Sequence, residues 1–458
     1  MRILLIEPAK APLTLGGEEV FLFEPLALEY VAAGVVADHD VRLLDLRLHP
    51  ELEQHLVDFR PEVVGITSYT VHVNGVKSLF QRIKQWNPNV LTVVGGHHAT
   101  IRPEDFFMPS IDLIVLGEGV FAFREIVRRF QDGGGFDHIP GVVCANGHRT
   151  EQLSHAPADD LDTLPFPERG LVPEDRKHYY SEWMKPLASI RTSKGCPYRC
   201  SFCALWKLTG GRYLKRDPDK IVAELSTIKE EFVFFADDES LVDAARMTHL
   251  AHLIERAGIR KRYFLYGRSD TIARNRDLLA IWKRIGLERV FVGLESFRDE
   301  DLTYIRKGSM VRDNEQAISL LHDLDIEIYA SFIVRPEFDR EDFRAFRKYC
   351  RSLGLRFATF AVMTPLPGTD LYEDVKEKMI THNYDFFDFL HTLLPTQMPL
   401  KQFYKEYTDL IWNAVSPRDS IAFLARYPAR EMLPTLFKSF RLRRRMRSAY
   451  RDYEMTST

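Results

Sequence analysis

A chain of 458 residues, 45% hydrophobic and 28% charged with a formal net charge of −3, is ordinary for a globular protein and long enough for more than one domain. The near-neutral balance excludes a global basic field for nucleic acid, and five cysteines do not make a secreted disulfide framework. The apolar start MRILLIEPAKAPL is too short for a signal peptide or a span, and no later segment reaches roughly eighteen uninterrupted apolar residues, so a reducing, cytoplasmic setting is predicted.

Along the chain, short apolar runs first alternate with helical patterns. Ile3–Ile6, Val41–Leu44, Val63–Thr67, Leu91–Val94 and Leu113–Leu116 have the continuous apolar character of buried parallel strands. Between them Pro25–Val36, Pro50–Phe59 and Val73–Trp86 carry apolar residues at helical spacing, and EGVFAFREIVRRF is a further helix. This alternation predicts an α/β, doubly wound, Rossmann-like domain over residues 1–135. Gly95, Gly96, Gly117 and Gly119 fall just after strand ends, where such sheets bind ligands.

Residues 136–186 are rich in Gly, Pro and Asp and predict a linker, ordered in part because Leu164, Phe166 and Trp183 need cover. A second alternating run follows over 187–370. Strands are expected at Leu187–Thr192, Phe232–Ala236, Tyr263–Gly267, Val290–Leu294, Glu327–Val334 and Phe357–Val362, with helices between them. Six strand–helix units are too few for a closed eight-fold barrel and predict an open, partial (β/α)6 barrel. Residues 371–458 are expected to be mostly helical, with a basic tail.

In the loop after the first barrel strand stand Cys196, Cys200 and Cys203, in TSKGCPYRCSFCALW. Three thiolates in one short loop select zinc or an iron–sulfur cluster. A structural zinc site calls for four ligands, and no second pair accompanies these; Cys144 and Cys350 are isolated in apolar patterns. Three cysteines are one short of the usual four and leave one iron of a 4Fe-4S cluster open to an outside ligand.

The spacing Cys-x3-Cys-x2-Cys after a barrel strand, with the aromatic flank CPYRCSFC, resembles the radical S-adenosylmethionine (SAM) enzymes over residues 187–370. The resemblance implies a 4Fe-4S cluster on Cys196, Cys200 and Cys203, whose open iron takes the amino and carboxylate groups of SAM and cleaves it to a 5′-deoxyadenosyl radical. It also implies SAM-binding roles for Asp237 and Asp238 in FVFFADDES, Arg268 in FLYGRSD, and Glu295 and Ser296 in VFVGLESF. SFIVRPEF and AVMTPLPGTDLYE resemble the segments flanking the adenine, although Arg335 stands where relatives often have glycine. For each of these the plain alternative is a solvated loop charge.

The segments VVGITSYTVHVNGVKSLFQRIK, VVGGHHATIRPEDF and IDLIVLGEGVFAF resemble the cobalamin-binding domain attached to many radical SAM enzymes, which implies cobalamin contacts from Thr67, Ser68, Gly95, Gly96, His97 and Gly117. Val120 departs from the family's GEGE. Asp45 and His49 do not fit the motif that supplies a cobalt-ligating histidine, so none is expected. A nucleotide-binding Rossmann unit is the rival, but no GxGxxG follows the first strand.

Together the two resemblances imply a cobalamin-dependent radical SAM methyltransferase. Such an enzyme uses methylcobalamin, a small-molecule and lipid-like substrate, and a low-potential donor of the flavodoxin or ferredoxin type. A cyclase of the anaerobic magnesium-protoporphyrin ester type and a non-catalytic cobalamin sensor remain alternatives. The overall sequence, with HTLLPTQMPLKQFYKEY, looks most like the hopanoid C-3 methylases. Phe386, Phe387, Phe389 and Leu390 are open to two readings, an apolar substrate channel or core packing. Finally, Leu433, Leu436, Phe437 and Phe440 share a helical face beside a cluster of arginines, which predicts a peripheral membrane contact that docks the barrel mouth.

Overall fold

The computed structural model describes residues 1–17, 20–145 and 160–455, so residues 146–159 of the expected linker lie outside the described residues. The chain divides into two compact units, Met1–Thr14 with Glu24–Arg176, and Leu15–Phe23 with Lys177–Thr458.

In the first unit six strands form one sheet: β1 (Arg2–Glu7), β2 (Asp40–Asp45), β3 (Val63–Thr67), β4 (Leu91–Gly95), β5 (Leu113–Val115) and β6 (Val142–Cys144). Their order is β2-β1-β3-β4-β5-β6. The first five run parallel and β6 closes the edge antiparallel to β5. This is the doubly wound sheet expected, with a switch point between β1 and β3. β3 is buried at every position because helices cover both faces, which is why its sequence is continuously apolar. The helix Gly119–Gln131 turns Val120, Ala122, Phe123, Ile126 and Val127 inward. Val120 fills core space against Gly34, so the departure from GEGE is a packing residue. β6 escaped the sequence reading because its three residues have no helical or alternating context. Ile139 and Val172 join the same core, so part of the expected linker is built into this unit.

In the second unit six parallel strands follow one another in strict chain order: β7 (Leu187–Ile190), β8 (Phe232–Phe235), β9 (Arg262–Arg268), β10 (Leu287–Glu295), β11 (Glu327–Val334) and β12 (Ala358–Val362). β7 and β12 each have one sheet neighbour, so the barrel is open, as expected. Outward residues such as Val233, Leu265, Val292 and Ile328 pack beneath the helices. Inward residues form layers. Phe234, Phe264, Arg289 and Glu327 lie in register toward the N-terminal end, and Tyr266, Phe291 and Tyr329 lie in register near mid-height. The aromatic rings interlock, with Tyr266 edge-on to Phe291 at 4.7 Å, and close the floor of the barrel. Above them the register brings Gly293, Ser331 and Thr359 level; at Gly293 the missing side chain makes way for Glu295 and Lys307, whose polar ends would stand 2.5 and 2.9 Å from a Cβ. Below, Arg289 is fully buried and paired with Glu182 at 2.5 Å.

The segment Leu15–Phe23 belongs to this second unit. Phe21–Leu22 pairs with Tyr180–Ser181, Phe23 stacks on Phe234 at 4.8 Å, and the Leu15 N–H donates to Asp388 at 2.7 Å. Phe386 and Phe387 are buried core and Phe389 is exposed, so these side chains are divided between packing and surface.

Candidate active site

The C-terminal ends of β7 to β10 bring the cysteine loop together with five charged side chains. The loop begins at Gly195, whose φ of +89° only glycine adopts without strain; an added Cβ would stand 2.1 Å from the Arg212 carbonyl oxygen. The antiparallel pair Ser193–Lys194 with Leu214–Lys215 braces the loop from one side. Ser201 N–H donates to the Ile305 carbonyl at 3.0 Å, and Leu371 N–H donates to the Ser201 carbonyl at 2.9 Å. Phe202 wedges into the apolar group Ile305, Met363, Leu371 and Leu394, which accounts for the aromatic flank.

The two aspartates after β8 hold this loop. Asp237 accepts from Thr192 N–H at 2.7 Å, Thr192 O–H at 2.6 Å and Ser193 N–H at 2.8 Å. Asp238 accepts from Gly195 N–H at 2.6 Å. Burial raises both carboxyls above the usual range, and the donated hydrogen bonds oppose it. Asp237 therefore fastens the cysteine loop to the barrel, a duty that the sequence alone did not suggest.

Arg268 ends β9. Its guanidinium lies 3.7 Å from the Tyr198 ring centroid, donates to the Lys307 carbonyl at 2.6 Å and approaches Cys200 Sγ at 3.8 Å. Lys307 Nζ donates to Glu295 at 2.6 Å. Glu295 sits at a register shift in β10 with φ +60°, a left-handed conformation that turns its carboxylate out of the strand's regular alternation. Ser296 donates to Asp301 at 2.7 Å, and Asp301 also receives Arg335 at 2.9 Å. Arg335, the residue at odds with the family pattern, is thus tied up in an ion pair. Glu239 completes the group, accepting from Arg268 N–H at 2.9 Å; burial pushes its carboxyl up to about 8 against the pull of Arg268.

Burial also raises the Cys196 thiol to about 11 and the Cys203 thiol to about 12. Among the described residues no three His, Cys, Asp or Glu side chains converge on a single ion. The donor set fits an iron–sulfur cluster, which takes one thiolate per iron from separate loop positions, with Arg268 and Lys307 as nearby cations to balance the charge. Glu239, Lys307 and Tyr198 were missed from sequence. Tyr198 lay in plain view inside the cysteine motif, whereas Lys307 follows a helix and carries no motif of its own. Cys144 and Cys350 lie apart, on β6 and on the helix Arg340–Ser352.

In the first unit the expected cobalamin residues gather at the C-terminal edge of β3 to β5. Gly96, at φ +100°, lies so close over β3 that a Cβ would stand 2.7 Å from Ser68 N and Thr67 Oγ1. Ser68 N–H donates to the Gly95 carbonyl at 2.9 Å, Thr100 O–H to the Gly96 carbonyl at 2.9 Å, and Gly117 N–H to Thr100 Oγ1 at 3.0 Å. These bonds tie together Ser68, Gly95, Gly96 and Gly117, and Thr67 joins them as the strand partner of Gly95. His97 is exposed beside them, its ring 4.9 Å from Tyr69, while His98 is buried between Thr70 and Asp105. The glycines keep side chains off these strand ends, where doubly wound sheets bind ligands. His49 points elsewhere, its Nε2 2.8 Å from Asp175. Sequence reasoning missed Glu7, which ends β1 at the switch point and whose carboxyl burial pushes up to about 7. It also missed His72, whose Nδ1 is buried without a hydrogen-bond partner and whose imidazole burial holds near a pKa of about 4.

A doubly wound unit followed by an open six-stranded barrel with three cysteines at its mouth is the architecture expected of a cobalamin-binding domain joined to a radical SAM domain. Known proteins agree. The B12 binding domain matches residues 14–127 and the Radical SAM superfamily matches residues 190–350. The chain is 33% identical over 414 residues to the hopanoid C-3 methylase of Methylococcus capsulatus, covering 89% of this chain and 78% of that protein. It is 27% identical to an anaerobic magnesium-protoporphyrin IX monomethyl ester cyclase of Rubrivivax gelatinosus, covering 86% of this chain and 73% of that one. The fold superposes on the radical SAM methyltransferase TsrM of Kitasatospora setae with a TM-score of 0.69 at 18% identity, covering 92% and 90% of the two chains. The chain belongs to the family of cobalamin-dependent radical SAM methyltransferases.

Proposed function

We infer that this enzyme methylates an unactivated carbon of a lipid-like substrate, with position C-3 of a hopanoid as the leading candidate. The observation that carries the reading is the barrel mouth: three cysteines and a buried cationic pair stand over small residues and a closed aromatic floor. The identity to the hopanoid C-3 methylase supports the substrate class.

In this reading Cys196, Cys200 and Cys203 hold a 4Fe-4S cluster, and Thr67, Ser68, Gly95, Gly96, His97 and Gly117 hold cobalamin. Bound there, the cluster supplies the electron that cleaves SAM, and cobalamin supplies the methyl carrier. The protein's own residues position and shield. Arg268, held by Tyr198, the Lys307 carbonyl and an ion pair to Asp270 at 2.9 Å, sets a positive charge beside the cysteine loop that attracts the SAM carboxylate. Asp238 takes the SAM amino group while Asp237 keeps the cysteine loop in place. Glu295, held by Lys307, and Ser296 receive the ribose. Ser331 and Thr359, small and half-buried above the aromatic layer, line the space for substrate next to SAM, and the aromatic floor keeps water from entering below. A low-potential flavodoxin or ferredoxin type donor supplies electrons.

Mass spectrometry of lipid extracts from cells with and without the gene tests the assignment. An added methyl group on a triterpenoid, present only with the gene, supports it. A newly cyclised tetrapyrrole with unchanged lipids would replace it with the cyclase reading.

A further inference from the structure

The helix Ala429–Ser448 meets two different surroundings along its length. Met446 and, just past its end, Ala449 are buried in the core of the second unit, and Leu442 and Tyr450 pack partly buried against that core. Before these, four large apolar side chains stand out: Leu433 is 77% exposed, Leu436 44%, Phe437 69% and Phe440 66%. Their spacing puts them on one helical face. Isolated exposed apolar residues are ordinary, but four large ones on consecutive turns form a patch. Arg441, Arg444 and Arg447 continue the same side of the helix and are exposed, and no acidic residue occurs between positions 432 and 451.

The patch sits at the N-terminal end of the barrel. Just before the helix, Arg426 pairs with Glu288 at 3.0 Å and Glu327 at 2.9 Å, and Phe423 stacks on Phe357 at 4.8 Å. Glu288, Glu327 and Phe357 all stand where barrel strands begin. Within the helix, Lys438 Nζ lies 5.5 Å from the Tyr180 ring centroid, in the segment leading into β7. The expectation that this helix docks the barrel mouth is therefore corrected, because the cysteines lie at the opposite ends of the strands.

We propose that residues 433–447 are a docking surface for an anionic lipid bilayer, with the cysteine mouth turned away from it. The charge pattern selects this occupant. A bilayer takes the Leu and Phe side chains into the acyl boundary and the arginines at the level of anionic headgroups. A second copy of the chain would set the cations of one helix against those of another. Among the described residues no helix is long and apolar enough to cross a membrane, so the contact is peripheral. The inference rests on surface chemistry and stands apart from the reaction proposed above.

The test is cosedimentation of the full chain with vesicles of equal parts phosphatidylglycerol and phosphatidylcholine, and of phosphatidylcholine alone. Binding to the anionic vesicles at low salt and its loss at high salt are expected. Replacing Arg441, Arg444 and Arg447 by Gln weakens it about a hundredfold. Phe437→Glu with Phe440→Glu abolishes it without touching the core, since both side chains are about two-thirds exposed. In Phe437→Trp, emission shifts to the blue on adding anionic vesicles. No binding, binding indifferent to the Phe changes, or an unshifted Trp spectrum overturns the proposal. Self-association that the double Phe variant disperses, with no vesicle binding, assigns the face to a second copy instead.

Discussion

Two glycines near the cysteines separate backbone conformation from crowding. Gly195 has φ +89° and Gly210 has φ +62°, so alanine at either costs about 1 kcal/mol for a left-handed residue. At Gly210 nothing lies within 4 Å of the added Cβ, and that is the whole penalty. At Gly195 the Cβ would meet the Arg212 carbonyl oxygen at 2.1 Å and Thr209 Oγ1 at 2.5 Å. The Thr209 hydroxyl already grips that carbonyl at 2.9 Å, so neither partner can yield, and overpacking adds about 1–3 kcal/mol. The loop relieves this by moving, which also breaks the Gly195 N–H bond to Asp238. Gly195→Ala is expected to lose about 2–4 kcal/mol of loop stability and most of its iron, and Gly210→Ala to keep both. Iron per chain after anaerobic reconstitution, with urea unfolding monitored alongside, reads the difference. Equal iron and equal midpoints in the two variants would refute the claim that Gly195 sets the cysteine loop.

Asp237→Ala strands two backbone N–H groups and a hydroxyl; a loss of about 3–6 kcal/mol is expected in urea unfolding. Lys307→Met leaves Glu295 buried without its partner and costs about 3–5 kcal/mol, and adding Glu295→Gln restores much of it; a double-mutant cycle that shows simple additivity contradicts the pairing. His391 is fully buried; burial alone depresses its imidazole, but Asp388 at 2.8 Å and Asp452 at 3.1 Å outweigh this and hold it up to about 9. Because the folded value is raised, this stabilisation is complete below about pH 6.5 and is lost as pH climbs toward 9, about 3 kcal/mol in all. His391→Gln flattens that slope in unfolding measured from pH 6 to 9, and an unchanged slope counts against the clamp.

The strands were legible wherever burial on both faces made them continuously apolar: Val63–Thr67 and Glu327–Val334 have the ends the pattern predicts. The cysteine loop was legible because its chemistry is local, all within eight residues. What stayed hidden is long-range. Leu15–Phe23 lies within the first domain's sequence yet folds with the second unit, through Phe23 on Phe234 and Leu15 on Asp388. No periodicity announces such a partner. Asp237 carried the right address, the end of the second barrel strand, but its duty toward Thr192 and Ser193 depends on a register that only the folded sheet defines. Lys307 finds Glu295 because β10 breaks register there and turns the carboxylate toward it. The apolar face of the last long helix was legible, but its end of the barrel was not, since that follows from Arg426 reaching Glu288 and Glu327.

The central claim is methyl transfer at a barrel mouth built on three cysteines. Its most direct measurement is a single incubation of anaerobically reconstituted enzyme with cobalamin, a reductant, a triterpenoid extract and methyl-deuterated SAM, followed by mass spectrometry. The account predicts one labelled methyl group on product for each 5′-deoxyadenosine formed. It predicts loss of both in Cys196→Ala, Cys200→Ala or Cys203→Ala, and neither lost in Cys144→Ala or Cys350→Ala. Product formation that survives removal of any of the three cysteines, or 5′-deoxyadenosine formed with no label reaching any product, would contradict it.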